Sequence, residues 1–181
     1  MFGPRIDGGQ GTVLRPGVRE DYDLFSKWQL VPETTRFWGP RFTSSTAEDI
    51  EERFKRNGDD ANSVNWTIEF QGEAVGFTGL FDIDWVARDG ETGIFIGRSD
   101  LYGKGIASEA IRLRMGYIWN ELGMHRTHNW IALPNQGSWR ANQKSGYVQI
   151  GTYPRSWHRS GEWVDEWLGE AFPRTYPASK E

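Results

Sequence analysis

A chain of 181 residues, 37% hydrophobic and 25% charged, carries enough apolar surface for one globular domain. A net charge of -4 offers no general attraction for nucleic acid, and the absence of cysteine excludes disulfides, thiolate metal sites and a Cys nucleophile. His125, His128 and His158 are too few and too unevenly spaced for a zinc site, so no metal is expected.

Residues 1–10 are glycine-rich and are expected to be a flexible N-terminus. "GTVLRPGV" (11–18) reads as a first strand that Pro16 ends. "REDYDLFSKWQL" (19–30) sets acidic residues first and Tyr22, Leu24, Phe25 and Trp28 in helical register, and Pro32 stops it. "STAEDIEERFKRN" (45–57) opens with a capping box, Ser45 and Glu48, and carries Ile50 and Phe54 as an apolar stripe. "VNWTIEF" (64–70), the turn "QGE" and "AVGFTGLFDID" (74–84) form a hairpin, and "TGIFIG" (92–97) is the next strand.

A long helix follows, from about Gly105 to Leu122. Ile106, Ala110, Leu113 and Tyr117 share one face, and Ile111, Met115, Ile118 and Leu122 widen it. Arg114 interrupts this apolar arc and is expected to snorkel or pair. Gly123 ends the helix. "HRTHNWIAL" (125–133) is a strand, "GSWRANQKS" (137–145) a short helix, and 147–157 with 163–172 a closing hairpin. No repeat or long linker divides the chain, so 11–175 reads as a single α+β domain, with a tail at 176–181. No apolar run reaches about 18 residues and no signal-peptide core opens the chain, so a cytoplasmic protein without a membrane partner is expected.

The stretch "DLYGKGIASEA" (100–110) places two glycines one residue apart in front of the long helix. It fails the Walker pattern, because Arg98 stands where the first glycine belongs, and the dinucleotide fingerprint, because Ser108 stands where the third does. It meets [Q/R]xxGx[G/A] at every place but the first, as Tyr102-Gly103-Lys104-Gly105-Ile106-Ala107. The first turn of a helix leaves amides unpaired and carries partial positive charge, so a pyrophosphate can rest there if no side chain intrudes. Gly103, Gly105 and Ala107 remove the side chains, and Lys104 adds a cation. The plain alternative is a helix start with glycines for the turn.

Beyond this motif, the chain resembles the GNAT superfamily of N-acetyltransferases, and within it the RimJ/RimL-type branch that acetylates ribosomal-protein N-termini. "TVLRPGVREDYDLFSKWQLVPETTRFWG" resembles that branch's opening strand, helix and Pro-Glu-x-x-Arg turn. "WTIEFQGEAVGFTGLFDID" resembles its central hairpin. "HRTHNWIALPNQGSWRANQKSGYVQIG" resembles its HR…N…S…K-x-GF block, through Asn135, Ser138, Lys144 and Gly146-Tyr147. "HRSGEWVDEWLGE" resembles its closing hairpin. The resemblance implies a mostly antiparallel twisted sheet of about seven strands flanked by about four helices, splayed between the fourth and fifth strands. It further implies transfer of acetyl from acetyl-CoA to a primary amine by direct attack.

On these residues the resemblance implies that Tyr102 to Ser108 hold the diphosphate and that the backbone of Ile94, Phe95 and Ile96 stabilises the thioester oxygen. Asn135 would bond the pantetheine, and Ser138 would serve the departing thiolate, because Asn142 stands where much of the superfamily has tyrosine. The base is open among His128, Asp84, Asp82 and Glu91, each of which also reads as an ordinary strand or turn charge. Of these, His128 has the most suitable ordinary pKa. Asp165 and Glu166 are expected to stabilise the closing hairpin. Trp28, Trp38 and Trp157 are expected to wall the acceptor pocket, with Phe37, Phe42 and Trp163 nearby. A peptide α-amine follows from branch likeness, and a small amine such as an aminoglycoside or polyamine is the rival. A non-catalytic acyl-CoA-binding module and a carbohydrate-binding module are readings from other classes. Pairing into a homodimer through a sheet edge is compatible with all of these.

Overall fold

The computed structural model describes residues 1–38, 45–159 and 161–175. In chain order these hold β1 (Ile6–Asp7), β2 (Thr12–Arg15), α1 (Arg19–Trp28), α2 (Pro32–Thr35), α3 (Ala47–Asp59), β3 (Val64–Phe70), β4 (Glu73–Asp84) and β5 (Asp89–Ile96). There follow α4 (Ile106–Asn120), β6 (Thr127–Ala132), α5 (Gln136–Lys144), β7 (Val148–Arg159) and β8 (Glu162–Ala171). The strands form one sheet in the order β1-β2-β3-β4-β5-β6-β8-β7.

Every neighbouring pair is antiparallel except β5 and β6. Parallel strands need a long crossover, and α4 supplies it. The β5–β6 pairing is confined to Glu91 opposite His128, so the two strands part beyond that point. This is the expected splay, shifted one place in strand number because β1 adds a strand. Among the described residues, five α-helices stand where about four were expected, the extra one being the single-turn α2.

Two cores hold the layers. On one face, Tyr22 and Phe25 of α1 and Ile50 of α3 pack with Phe2, Trp28, Phe54 and Phe77. On the other, Ile106, Ala110, Ile111, Leu113, Met115 and Ile118 of α4 pack on Leu14, Val64, Trp66, Ile68, Val75 and Leu80. Complete burial of such side chains contributes about 1.5–3 kcal/mol each. Asp21 ties α1 to the sheet: it takes two hydrogen bonds from Arg15 (2.7 and 2.8 Å), one from Thr67 Oγ1 (2.7 Å) and one from the Val18 N–H (2.9 Å).

Three local expectations are corrected. Residues 1–10 are tied to the sheet: Gly3 N–H donates to Asn65 O (3.0 Å), Asn65 N–H to Met1 O (2.9 Å) and the Trp66 indole to Pro4 O (2.9 Å). The capping box of α3 lies one residue later than expected, at Thr46 and Asp49, which exchange bonds of 2.7 and 3.1 Å. Arg114 neither snorkels nor finds a carboxylate; it is 1% exposed and bonded to neutral groups.

Candidate active site

The amides at the start of α4 stand open. Gly105 is its N-cap at φ 83 and makes no side-chain cap bond, and Gly103 lies at φ 77. These left-handed conformations favour glycine, and a Cβ added at either position would meet nothing within 4 Å. The first intrahelical bond runs from Glu109 N–H to Gly105 O (3.0 Å), so the amides of Ile106, Ala107 and Ser108 have no carbonyl in the helix to bond. Ile106 is buried beneath them and fixes the turn, Lys104 is exposed, and the Tyr102 hydroxyl donates to Ile96 O (3.2 Å), tying the loop to the end of β5.

The exposed edge of β5 has a defined polarity. Gly93 O accepts from Thr78 Oγ1 on β4 (2.7 Å) and from Arg114 Nη1 (2.8 Å). A trans peptide holds C=O and the next N–H on opposite sides, so the Ile94 N–H points away from β4 into the gap toward β6. Hydrogen-bonding direction alternates along a strand, so Ile96 shares this orientation. Phe95 turns its N–H to β4, in step with Gly97, whose N–H donates to Val75 O (2.8 Å). Of the three backbone groups named for the thioester, the N–H groups of Ile94 and Ile96 turn to the gap and that of Phe95 turns to β4.

A cleft of about 610 Å³ runs through this gap. Asn135, Ser138 and Asn142 line one wall; Phe37, Trp38, Phe77 and Phe81 line another; Asp82, Glu91, Trp130, Trp157 and Glu166 also face it. Trp38 stands edge-on to Phe77 and Phe95 at 5.3 and 5.2 Å. Burial raises the Glu91 pKa above the ordinary carboxylate value; Asp82 and Glu166 add to this, while His128 opposes it. Asp89 is held below its ordinary range because hydrogen bonds from Arg126 and His128 (Nδ1 at 3.2 Å) outweigh the effect of burial.

A profile for the "Acetyltransferase (GNAT) domain" matches residues 12–148. The chain belongs to the GNAT acetyltransferase family. Membership makes it an acetyl-CoA-dependent N-acetyltransferase, in place of the acyl-CoA-binding and carbohydrate-binding readings. It is 23% identical over 158 residues to spermidine N(1)-acetyltransferase of Escherichia coli (strain K12), covering 87% of this chain and 84% of the relative. The structure of spermidine N-acetyltransferase from Vibrio cholerae, in complex with CoA and spermine, aligns with a TM-score of 0.83 at 19% identity, over 92% of this chain and 98% of that one. RimL, a ribosomal L7/L12 alpha-N-protein acetyltransferase in complex with coenzyme A, aligns with a TM-score of 0.82 at 14% identity, over 93% and 98%. These two likenesses establish a shared fold.

Within the GNAT frame, the candidate residues divide. Ser138 and Asn135 reach the cleft together, and Asn135 caps α5 by accepting the Ser138 N–H (3.4 Å). Asn142, at the usual tyrosine place, is 2% exposed, accepts from Asn129 (2.8 Å) and donates to Ser138 O (3.0 Å). Asp84 is not brought to the cleft: it accepts the Val86 and Ala87 N–H groups (both 2.8 Å) and holds the β4–β5 turn. His128 pairs with Asp89 beside Glu91, and of the four candidate bases Asp82 and Glu91 line the cleft, Glu91 with its pKa raised.

Trp38 and Trp157 line the cleft. Trp28 instead lies across Gly97, where an added Cβ would sit 2.0 Å from its ring. Trp163 is 60% exposed against His158, and Phe42 lies outside the described residues. Asp165 does hold the closing hairpin, taking the Arg155 N–H (2.9 Å), whereas Glu166 faces the cleft. Sequence reasoning missed Phe81 and Trp130; the alternation of their strands was the available signal, and it needed the register to say which face was open. Among the described residues, no helix is long and apolar enough to cross a membrane, and no cluster of metal-ligating side chains is found.

Proposed function

We propose that acetyl transfer takes place in the gap between β5 and β6, with the acetyl-CoA diphosphate on the first turn of α4. The observation that carries this is the open run of amides at Ile106, Ala107 and Ser108, kept bare by Gly103 and Gly105 at positive φ. The site fits the carrier, which when bound supplies an activated acetyl group. Tyr102 and Lys104 flank the diphosphate, and Asn135 bonds the amide-bearing arm. The Ile94 N–H, supported by Ile96, donates to the acetyl oxygen, which becomes negative as the amine attacks. Ser138 Oγ donates a hydrogen bond to the departing sulfur.

An ammonium has no lone pair, so the acceptor must first lose a proton. Glu91 takes it, directly or through one water, because its raised pKa brings it closer to neutral than an exposed carboxylate. His128, positioned by Asp89, stands next to it.

The acceptor reading that the cleft supports best is a small amine with more than one positive charge, of polyamine type. Asp82, Glu91 and Glu166 bring three carboxylates to one cleft, and Trp38, Phe81, Trp130 and Trp157 give it aromatic walls suited to methylene chains and cations. A peptide α-amine is the second reading, favoured by the fold shared with RimL. The test offers the purified protein acetyl-CoA with spermidine, spermine, aminoglycosides and peptides beginning in Ala or Ser, and follows thiol release. Faster turnover of the polyamines is expected. Turnover of peptides with none of polyamines would make the peptide N-terminus the acceptor.

A further inference from the structure

The chemistry above makes no use of Arg114. Its side chain lies on the buried face of α4, beside Ile111, Met115 and Ile118, all fully buried. Among the described residues it forms no ion pair. Nη1 donates to Thr78 Oγ1 (2.6 Å) and Gly93 O (2.8 Å), Nη2 lies 4.0 Å from Met115 Sδ, and Nε has no partner. Burial drives its pKa down from the ordinary value, with the Tyr147 hydroxyl acting against this. Arg114 borders the cleft, yet the groups it bonds are all neutral; a buried cation so bonded carries a heavy desolvation cost, and leucine or methionine would fill the same helix face without it.

What the guanidinium touches is informative. Arg114 and Thr78 both donate to the carbonyl of the Gly93–Ile94 peptide, whose other side is the Ile94 N–H in the β5–β6 gap. Hydrogen bonding at a peptide oxygen draws electron density from the nitrogen and strengthens the N–H as a donor. We propose that Arg114 is a positioning residue, which fixes and polarises the Gly93–Ile94 peptide so that the Ile94 N–H better stabilises the acetyl oxygen during transfer. This rests on the reading that the Ile94 N–H faces the acetyl group. Fixed charge in a dry site needs no rearrangement when the reaction occurs, which gives a buried cation a reason to persist despite its cost.

Isotope-edited infrared spectroscopy of [1-13C]acetyl-CoA bound to the whole protein reads the donor directly, since a hydrogen bond lowers the carbonyl stretching frequency. The wild type is expected to lower it relative to free acetyl-CoA. Arg114→Met, which keeps the helix face filled, returns the frequency part of the way. It also cuts kcat about tenfold, short of the ~10²–10³ for losing a whole donor. The acceptor in that assay is spermidine, or the alanine-initiated peptide if the panel above selects it. KM for acetyl-CoA stays within about twofold, because the lost interaction strengthens only during transfer. Arg114→Lys regains part of both effects. Thr78→Val removes the second carbonyl donor, moves both readouts the same way by less, and carries the test if Arg114→Met does not fold. An unshifted wild-type carbonyl would overturn the active-site reading. A shifted wild-type carbonyl that stays put in folded Arg114→Met, or in Thr78→Val, would overturn the role of Arg114 alone.

Discussion

Glu91 is half-buried in a cleft that it shares with Asp82 and Glu166, so its proton is held more tightly than that of an exposed glutamate. In its proposed role as the base it works when ionised, so activity is expected to fall as pH drops through its raised pKa. The acid limb of the kcat profile is expected above the ordinary glutamate range. Glu91→Gln should abolish that limb and lower kcat by about 10²-fold, as read from initial rates across pH. In the proposed mechanism Ser138 acts on the departing sulfur, after the carrier has bound. Ser138→Ala is expected to lower kcat about tenfold while calorimetric affinity for CoA stays within about twofold. The residue scale is also where sequence reading was least complete. Asp84 and Glu91 look alike as strand-end carboxylates, and only the β4 bulge at Phe81–Asp84 and the Glu91–His128 register separate turn cap from cleft wall. Arg114 was visible as a break in an apolar arc, but its partners Thr78 and Gly93 lie 36 and 21 residues away.

At the scale of elements, the periodicities and breakers located nearly every helix and strand, because Pro16, Pro32, Gly123 and Pro134 mark their ends locally. Boundaries slipped where neighbours compete for one role: Ser45 and Thr46 can both cap, and Thr46 does. The glycine turn was legible because its requirement is backbone conformation. Gly105→Val would place a branched side chain at φ 83 and over the amides of the first turn. CoA affinity is expected to fall at least about tenfold by calorimetry, with the fold retained by circular dichroism. Asp21 tests the join of α1 to the sheet. Its pKa is held down because the hydrogen bonds from Arg15, Val18 and Thr67 outweigh burial. Its contribution to stability is therefore present above the unfolded-state carboxylate pKa and is lost as pH falls through the lower folded value. Asp21→Ala leaves Arg15 short of a partner and should cost about 3 kcal/mol in urea denaturation at neutral pH. That difference should shrink in acid.

For the molecule as a whole, one feature of connectivity makes the site: a single parallel neighbour in an otherwise antiparallel sheet, joined by α4. The crossover brings the bare first turn of α4 to the end of β5, and the parting of β5 from β6 leaves the Ile94 N–H facing the cleft. The sequence carried this arrangement through the order of its motifs, whereas the tethering of residues 1–10 depended on the distant Asn65 and Trp66 and was not legible locally. The most direct test is a backbone amide NMR titration of the 20.8 kDa protein with CoA. The amides of Gly105 to Ser108, together with those of Ile94 and Ile96, are predicted to show the largest shifts. Saturable binding that leaves those six resonances in place and moves another part of the chain would contradict the account.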